Sequence, residues 1–206
     1  MGEYVSGICS ILNKFSNRDK YTIVIVENNS KINNVVRRMY HKTFLDRFGV
    51  PVLYTKNNIL IKQTKNYGII EMMDVFDVIN HFKIQDDDFI VKITGRYIID
   101  EHSEFFDVID NLEKVPYTAV LRFSQLDEPI SLVKTKNCTS GMIGLKCKYV
   151  KKIELPNLED ISTAIEMNWA KVISELDYSE ICILPKLGLY VRPTSIVKYC
   201  SNYFLV

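Results

Sequence analysis

Phe89-Ile90-Val91-Lys92-Ile93-Thr94-Gly95-Arg96-Tyr97 is the stretch whose reading decides the fold. Phe89, Ile90, Val91 and Ile93 make a short apolar run, with the length and β-branched content of a central parallel strand. Thr94, Gly95 and Arg96 follow at its carboxyl end, which is where open α/β sheets hold their ligands. A glycine there lets the backbone approach a ligand closely. An arginine beside it offers a fixed fork of donors suited to phosphate or carboxylate. The pattern predicts an anion-binding turn.

Upstream of this strand, Val5, Ile8, Cys9, Leu12 and Phe15 recur at helical spacing. Tyr21 to Val26 reads as a buried strand, closed by Glu27 and a polar turn in which Ser30 can cap the next helix. That helix carries Ile32, Val35, Val36, Met39, Tyr40 and Phe44 on one stripe and leads to a second strand at Val50 to Tyr54. A β-α-β order of this kind predicts a parallel pair with a right-handed crossover. Thr55 to Tyr67 is polar and reads as a loop, and Gly68 to His81 as a helix. Downstream, Ser103 caps a helix bearing Phe105, Phe106, Val108, Ile109 and Leu112. Strands are expected at Tyr117 to Phe123, Ile130 to Lys134, Gly141 to Lys146, Ile181 to Leu184 and Leu187 to Val191. A long amphipathic helix is expected from about Leu158 to Leu176. The expected architecture is a single α/β domain over residues 1–206, with a mixed, mostly parallel central sheet flanked by helices.

Composition narrows the function. Lys and Arg number 26 against 25 Asp and Glu, interspersed, which gives no electrostatic case for binding nucleic acid. Lys148, Lys151 and Lys152 read as a solvated helix face. Of the five cysteines (Cys9, Cys138, Cys147, Cys182 and Cys200) none forms a C-x-x-C pair. Buried reduced thiols and a cytoplasmic protein are expected. No apolar run reaches eighteen residues, and no cleavable signal pattern opens the chain. The glycosylation-type triplets at Asn28 and Asn137 are then chance matches, and the Met1-Gly2 template for lipidation is weakened by Glu3. His41, His81 and His102 lack metal-ligand or triad spacing, and Ser140-Gly141 lacks the pattern of a nucleophile elbow.

Lys92-Ile-Thr-Gly-Arg-Tyr97 resembles the Lys-(Ile/Leu)-(Thr/Ser)-Gly-Arg-Tyr signature of small GT-A type glycosyltransferase domains found in large DNA viruses and bacteria. Lys65-Asn66-Tyr67-Gly68-Ile69-Ile70-Glu71 is similar to that family's Lys-Gly-x-x-Glu element, departing from it by inserting Asn66 and Tyr67. The resemblance implies a nucleotide-diphospho-sugar donor, uridine-linked by expectation, and a glycan or other hydroxyl acceptor. It implies donor contacts from Lys65, Gly68, Lys92, Thr94, Gly95, Arg96 and Tyr97, which Glu27 joins at the end of the first strand. The lysine- and asparagine-rich composition fits the AT-rich genome of such a virus or bacterium.

Asp86-Asp87-Asp88 satisfies the Asp-x-Asp pattern that holds Mn2+ or Mg2+ in many nucleotide-sugar enzymes. Asp86 and Asp88 nevertheless precede their strand, at the sheet end opposite the ligand crevice, and a charged turn is the better reading. Two arrangements stay open. Arg96, with Lys92 or Lys65, neutralises the diphosphate without metal, or an acid such as Asp100 ligates a cation brought with the nucleotide. For the base that deprotonates an acceptor hydroxyl, Glu166 stands beside the stripe Ile161, Ile165, Trp169, Val172 and Ile173, where partial desolvation raises basicity. An ordinary solvated helix glutamate fits as well. Glu71 is the second candidate, against a helix-start carboxylate favoured by the macrodipole. A nucleotidyltransferase, or a non-catalytic sugar-nucleotide-binding module, would share the same sheet and anion site.

Overall fold

The computed structural model describes residues 2–15, 20–28, 49–64, 66–123, 138–159, 164–191 and 204–205. The expected helix of Ile32 to Phe44 with its Ser30 cap, the strand of Ile130 to Lys134, Lys65 and Cys200 lie outside the described residues.

The described chain is a mixed α/β structure. Its elements run α1 (Gly2–Lys14), β1 (Ile25–Glu27), β2 (Val52–Tyr54), α2 (Tyr67–Phe82), β3 (Phe89–Ile93), β4 (Ile98–Ile99), α3 (Glu104–Asp110) and β5 (Ala119–Leu121). They continue with β6 (Met142–Lys146), α4 (Cys147–Val150), α5 (Ile165–Ile173), β7 (Ile181–Ile183), β8 (Leu189–Val191) and β9 (Phe204–Leu205). A four-stranded sheet has the order β3-β6-β5-β7, a parallel pair joins β1 to β2, and a three-stranded sheet has the order β4-β8-β9.

The strand direction corrects the expected sheet. Among the described strands, β1–β2 and β5–β7 pair in parallel, while β3–β6, β5–β6, β4–β8 and β8–β9 are antiparallel. The sheet is mixed, without a parallel majority. β3 is the end strand of its described sheet, running antiparallel to β6 from Phe89 opposite Lys146 to Ile93 opposite Met142. An apolar run reports burial of both faces and carries no information about a partner's direction. Both faces of β3 are indeed covered.

Alternation along the strands sorts the core into two layers. Ile90 of β3, Ala119 and Leu121 of β5, and Ile143 and Leu145 of β6 pack with Met72 and Ile79 of α2 and with Ile165, Trp169 and Ile173 of α5. Phe89, Val91 and Ile93 of β3, Val120 of β5 and Met142 of β6 pack with Phe105, Phe106 and Ile109 of α3 and with Phe15 behind α1. Helices therefore flank both faces. Lys92 falls in the alternation with Ile90, which puts it on the face covered by α2 and α5.

Local details adjust several boundaries. The Thr55 to Tyr67 loop contains a 3-10 helix at Asn57–Lys62. α2 ends where Lys83 adopts a left-handed conformation (φ 52°) and Ile84 N donates to Ile79 O (3.0 Å), which closes the helix with a Schellman-type bond. α5 begins only after Ala164, which is extended, so Leu158 and Glu159 sit in a turn before it. Ser103 occupies the cap position of α3, but its hydroxyl donates to Leu187 O (2.6 Å) and ties the helix start to the approach to β8. No helix among the described residues is long and apolar enough to cross a membrane.

Candidate functional site

Five side chains from four places in the sequence meet where β3 runs into its polar turn. Lys92 Nζ donates to Glu71 Oε2 (2.6 Å), to Thr94 Oγ1 (3.1 Å) and to the Ser140 carbonyl (2.6 Å). These three acceptors account for an ammonium's three protons. Ser140 Oγ in turn donates to Glu166 Oε1 (2.6 Å). Gly68, Glu71, Met72, Val75, Lys92, Ser140, Ile165 and Trp169 line a small cleft at this point.

The elements make this meeting possible. α2 and α5 lie over the same face of the sheet, and their first turns touch: a side chain on Gly68 would run into Ile165. Gly68 thus has a packing reason to be glycine. Glu71 follows one turn later, and Glu166 stands in the first turn of α5, where the helix dipole favours a carboxylate. Lys92 is only 11% exposed while its partner Glu71 is 42% exposed, so the pair has a dry end and a wet end. Cys138 lies next to it, its thiol donating to the Glu166 carbonyl (3.3 Å). Burial, and then the Glu166 charge, push that thiol up to about 12, so it is no nucleophile.

Both candidate catalytic acids, Glu71 and Glu166, therefore come together with Lys92 and Thr94. The rest of the turn is packed against neighbouring elements. α1 crosses it so closely that a side chain on Gly7 would meet the carbonyl oxygens of Gly95 and Tyr97. Ser10 of α1 accepts the Ile99 amide (3.0 Å). The Tyr97 ring lies against Gly141, and the Arg96 guanidinium sits 5.5 Å from the centre of that ring. Glu27 ends β1, and its carbonyl accepts the Thr55 amide (3.1 Å).

The acidic triplet is placed in a turn at the amino end of β3. Asp86 pairs with Lys151 (2.6 Å) and Asp87 with Lys148 (3.6 Å), while Asp88 accepts the Gln85 amide (2.8 Å). Two of the lysines expected on a solvated face are thus partners of this turn. Asp100 follows β4 of the three-stranded sheet, its amide donating to the Gly188 carbonyl (2.8 Å). It accepts bonds from the His102 amide (2.8 Å) and the Tyr190 hydroxyl, and the latter above all holds its carboxyl below the usual range. Among the described residues no three His, Cys, Asp or Glu side chains gather as a metal would need.

Two features escaped the sequence reading. Ser140 has no motif of its own and is found only through Lys92 and Glu166. Asp74, three residues after Glu71, is 6% exposed and accepts from Asn28 (2.6 Å), Thr55 (2.6 Å) and Asn57 (2.8 Å). Asn57 also donates to Asp77 (2.8 Å). Desolvation raises the Asp74 carboxyl above its usual range, and these neutral donors only partly oppose it. An acidic residue inside an apolar helical stripe (Ile69, Ile70, Met72, Ile79) was the available signal. The chain matches no model of a known protein family, and no curated protein matches it significantly.

Proposed function

We propose that this chain is a GT-A type glycosyltransferase that moves a sugar from a nucleoside diphosphate donor, uridine-based by first choice, to a hydroxyl of a glycan or similar acceptor in the cytoplasm. One observation carries the reading: Glu71 directly, and Glu166 through Ser140, are linked to Lys92 where β3 runs into the Thr94-Gly95-Arg96 turn. The resemblance of the Lys92 to Tyr97 block to such enzymes points the same way.

In this reading the acceptor hydroxyl attacks the anomeric carbon as Glu166 removes its proton. The bond from that carbon to the diphosphate oxygen breaks, and the electron pair leaves with the nucleoside diphosphate. Arg96 offsets the charge that develops there. With one oxygen of Glu166 accepting from Ser140, the other remains for the proton. Glu71 holds the Lys92 ammonium in place.

The three filled donors of Lys92 favour a second reading, a non-catalytic module in which this network is purely architectural. Turnover separates the two. Incubation with a panel of sugar nucleotides, with and without Mn2+, should release nucleoside diphosphate in the first case only; release of pyrophosphate would instead mark a nucleotidyltransferase. Nucleotide at a hundred times its dissociation constant should stabilise the fold by about 2.7 kcal/mol in a thermal-shift assay. Arg96→Ala should weaken that binding by about 1.5–3 kcal/mol. Unchanged affinity in a folded Arg96→Ala protein removes the turn from the donor site.

A further inference from the structure

We propose that Ser140 is a positioning residue that fixes the Glu166 carboxylate, and that the Lys92 to Tyr97 block holds the chain corner from which Ser140 acts. The effect on turnover rests on the proposed function, in which Glu166 is the base.

Three members of the block grip the Ser140-Gly141 corner. Lys92 Nζ donates to the Ser140 carbonyl (2.6 Å). Thr94 N donates to the Gly141 carbonyl (2.8 Å), extending the β3–β6 pairing past its last strand residues. The Tyr97 ring lies against Gly141, where a side chain would collide with it. Two successive carbonyls are therefore held by donors from one strand end, which fixes the peptide plane between residues 140 and 141. With the backbone fixed, the Ser140 Cβ direction is fixed too.

Its hydroxyl has one proton, and that proton goes to Glu166 Oε1 (2.6 Å). A hydrogen bond to a charged carboxylate is short and about twice as strong as a neutral one. It selects one carboxylate rotation of several and leaves Oε2 as the oxygen free to take a proton. Signature residues that look like ligand contacts in the sequence thus have a use inside the protein: through one serine, they aim a glutamate on another helix. This accounts for the dry, triply bonded Lys92, whose ammonium a phosphate would have to share.

The test follows the glutamate carboxyl signals of full-length protein labelled with 13C-glutamate. The Glu166 signal is the one lost in Glu166→Gln. Ser140→Ala should shift it, and Ser140→Thr, which keeps a hydroxyl, should return it towards the wild-type position. Gly141→Ala, which displaces the Tyr97 ring, should shift it as well. In the transferring enzyme, Ser140→Ala should lower kcat by about tenfold to a hundredfold, from loss of a bond to a charged group, with donor KM little changed. Ser140→Thr should recover most of that loss. A Glu166 signal unmoved by Ser140→Ala in a folded protein overturns the proposal, and so does an unchanged kcat. If wild-type protein transfers no sugar from any donor, the proposed function falls, and the carboxyl signal alone decides whether Ser140 positions Glu166.

Discussion

Glu71 and Asp74 stand three residues apart on α2, and the helix uses them in opposite ways. Asp74 points to the carboxyl ends of β1 and β2, is almost fully buried, and among the described residues accepts from amide and hydroxyl donors. Glu71 meets an ammonium and keeps nearly half of its side chain in water. A buried carboxylate with neutral donors is a brace: it ties Asn28 after β1, Thr55 after β2 and the following 3-10 helix to α2, at a desolvation cost seen in its raised pKa. A half-exposed carboxylate beside a charged partner stays reachable. Exposure and the charge of the partner, more than residue type, separate the buried acid from the reachable one.

The largest effect tests the reachable side, where Glu166 joins the network of Glu71 through Lys92 and Ser140. Glu166→Gln, at saturating donor and acceptor, should lower kcat by about 10²–10⁴-fold while barely changing nucleotide affinity, because a base acts mainly in the transition state. A loss under about threefold would leave Glu71 or Asp100 as the acid to test next.

The structural side should respond in stability instead. Asp74→Ala leaves Asn28, Thr55 and Asn57 donors without their acceptor and should cost about 1–3 kcal/mol in urea unfolding. Its pH dependence has a definite sign. Asp74 binds its proton more tightly folded than unfolded, so its contribution favours folding below the ordinary aspartate value. That contribution is lost as pH rises through the raised folded pKa. The stability of wild type relative to Asp74→Asn should therefore be greatest below the ordinary aspartate value and fall as pH rises through the raised folded value. The opposite trend would mean that the donors outweigh burial.

Glu71→Gln keeps an acceptor for Lys92 but removes its charge. With Glu71 partly in water, the expected loss is about 0.5–1.5 kcal/mol, read from the same unfolding curves. A larger loss would make Glu71 a brace like Asp74. The smallest effect belongs to Asp86, Asp87 and Asp88 replaced together by Asn. Their lysine partners are exposed, so the melting temperature should drop by no more than a change of about 1 kcal/mol, and Mn2+-linked nucleotide binding should persist. Loss of that binding in a folded triple variant would put the metal at the wrong end of β3.

The sequence by itself determined where the chain is buried. Periodicity located α1, α2 and the apolar runs of β3, β5, β6 and β7, because hydrophobic spacing is a local record of which faces lose water. It also picked out Lys92, Thr94, Glu71 and Glu166 as residues of interest. What it left open is anything set by distance in space. The antiparallel pairing of β3 with β6 depends on how the connecting chain returns, which the apolar run does not encode. The short β4 pairs with β8 from nearly a hundred residues away, and two residues are too few for a pattern. Ser140 looked ordinary because its meaning comes from a lysine 48 residues earlier and a glutamate 26 residues later. Only the tertiary structure links those three residues by hydrogen bonds, since packing α2 and α5 on one face of the sheet is a long-range choice made by the whole core.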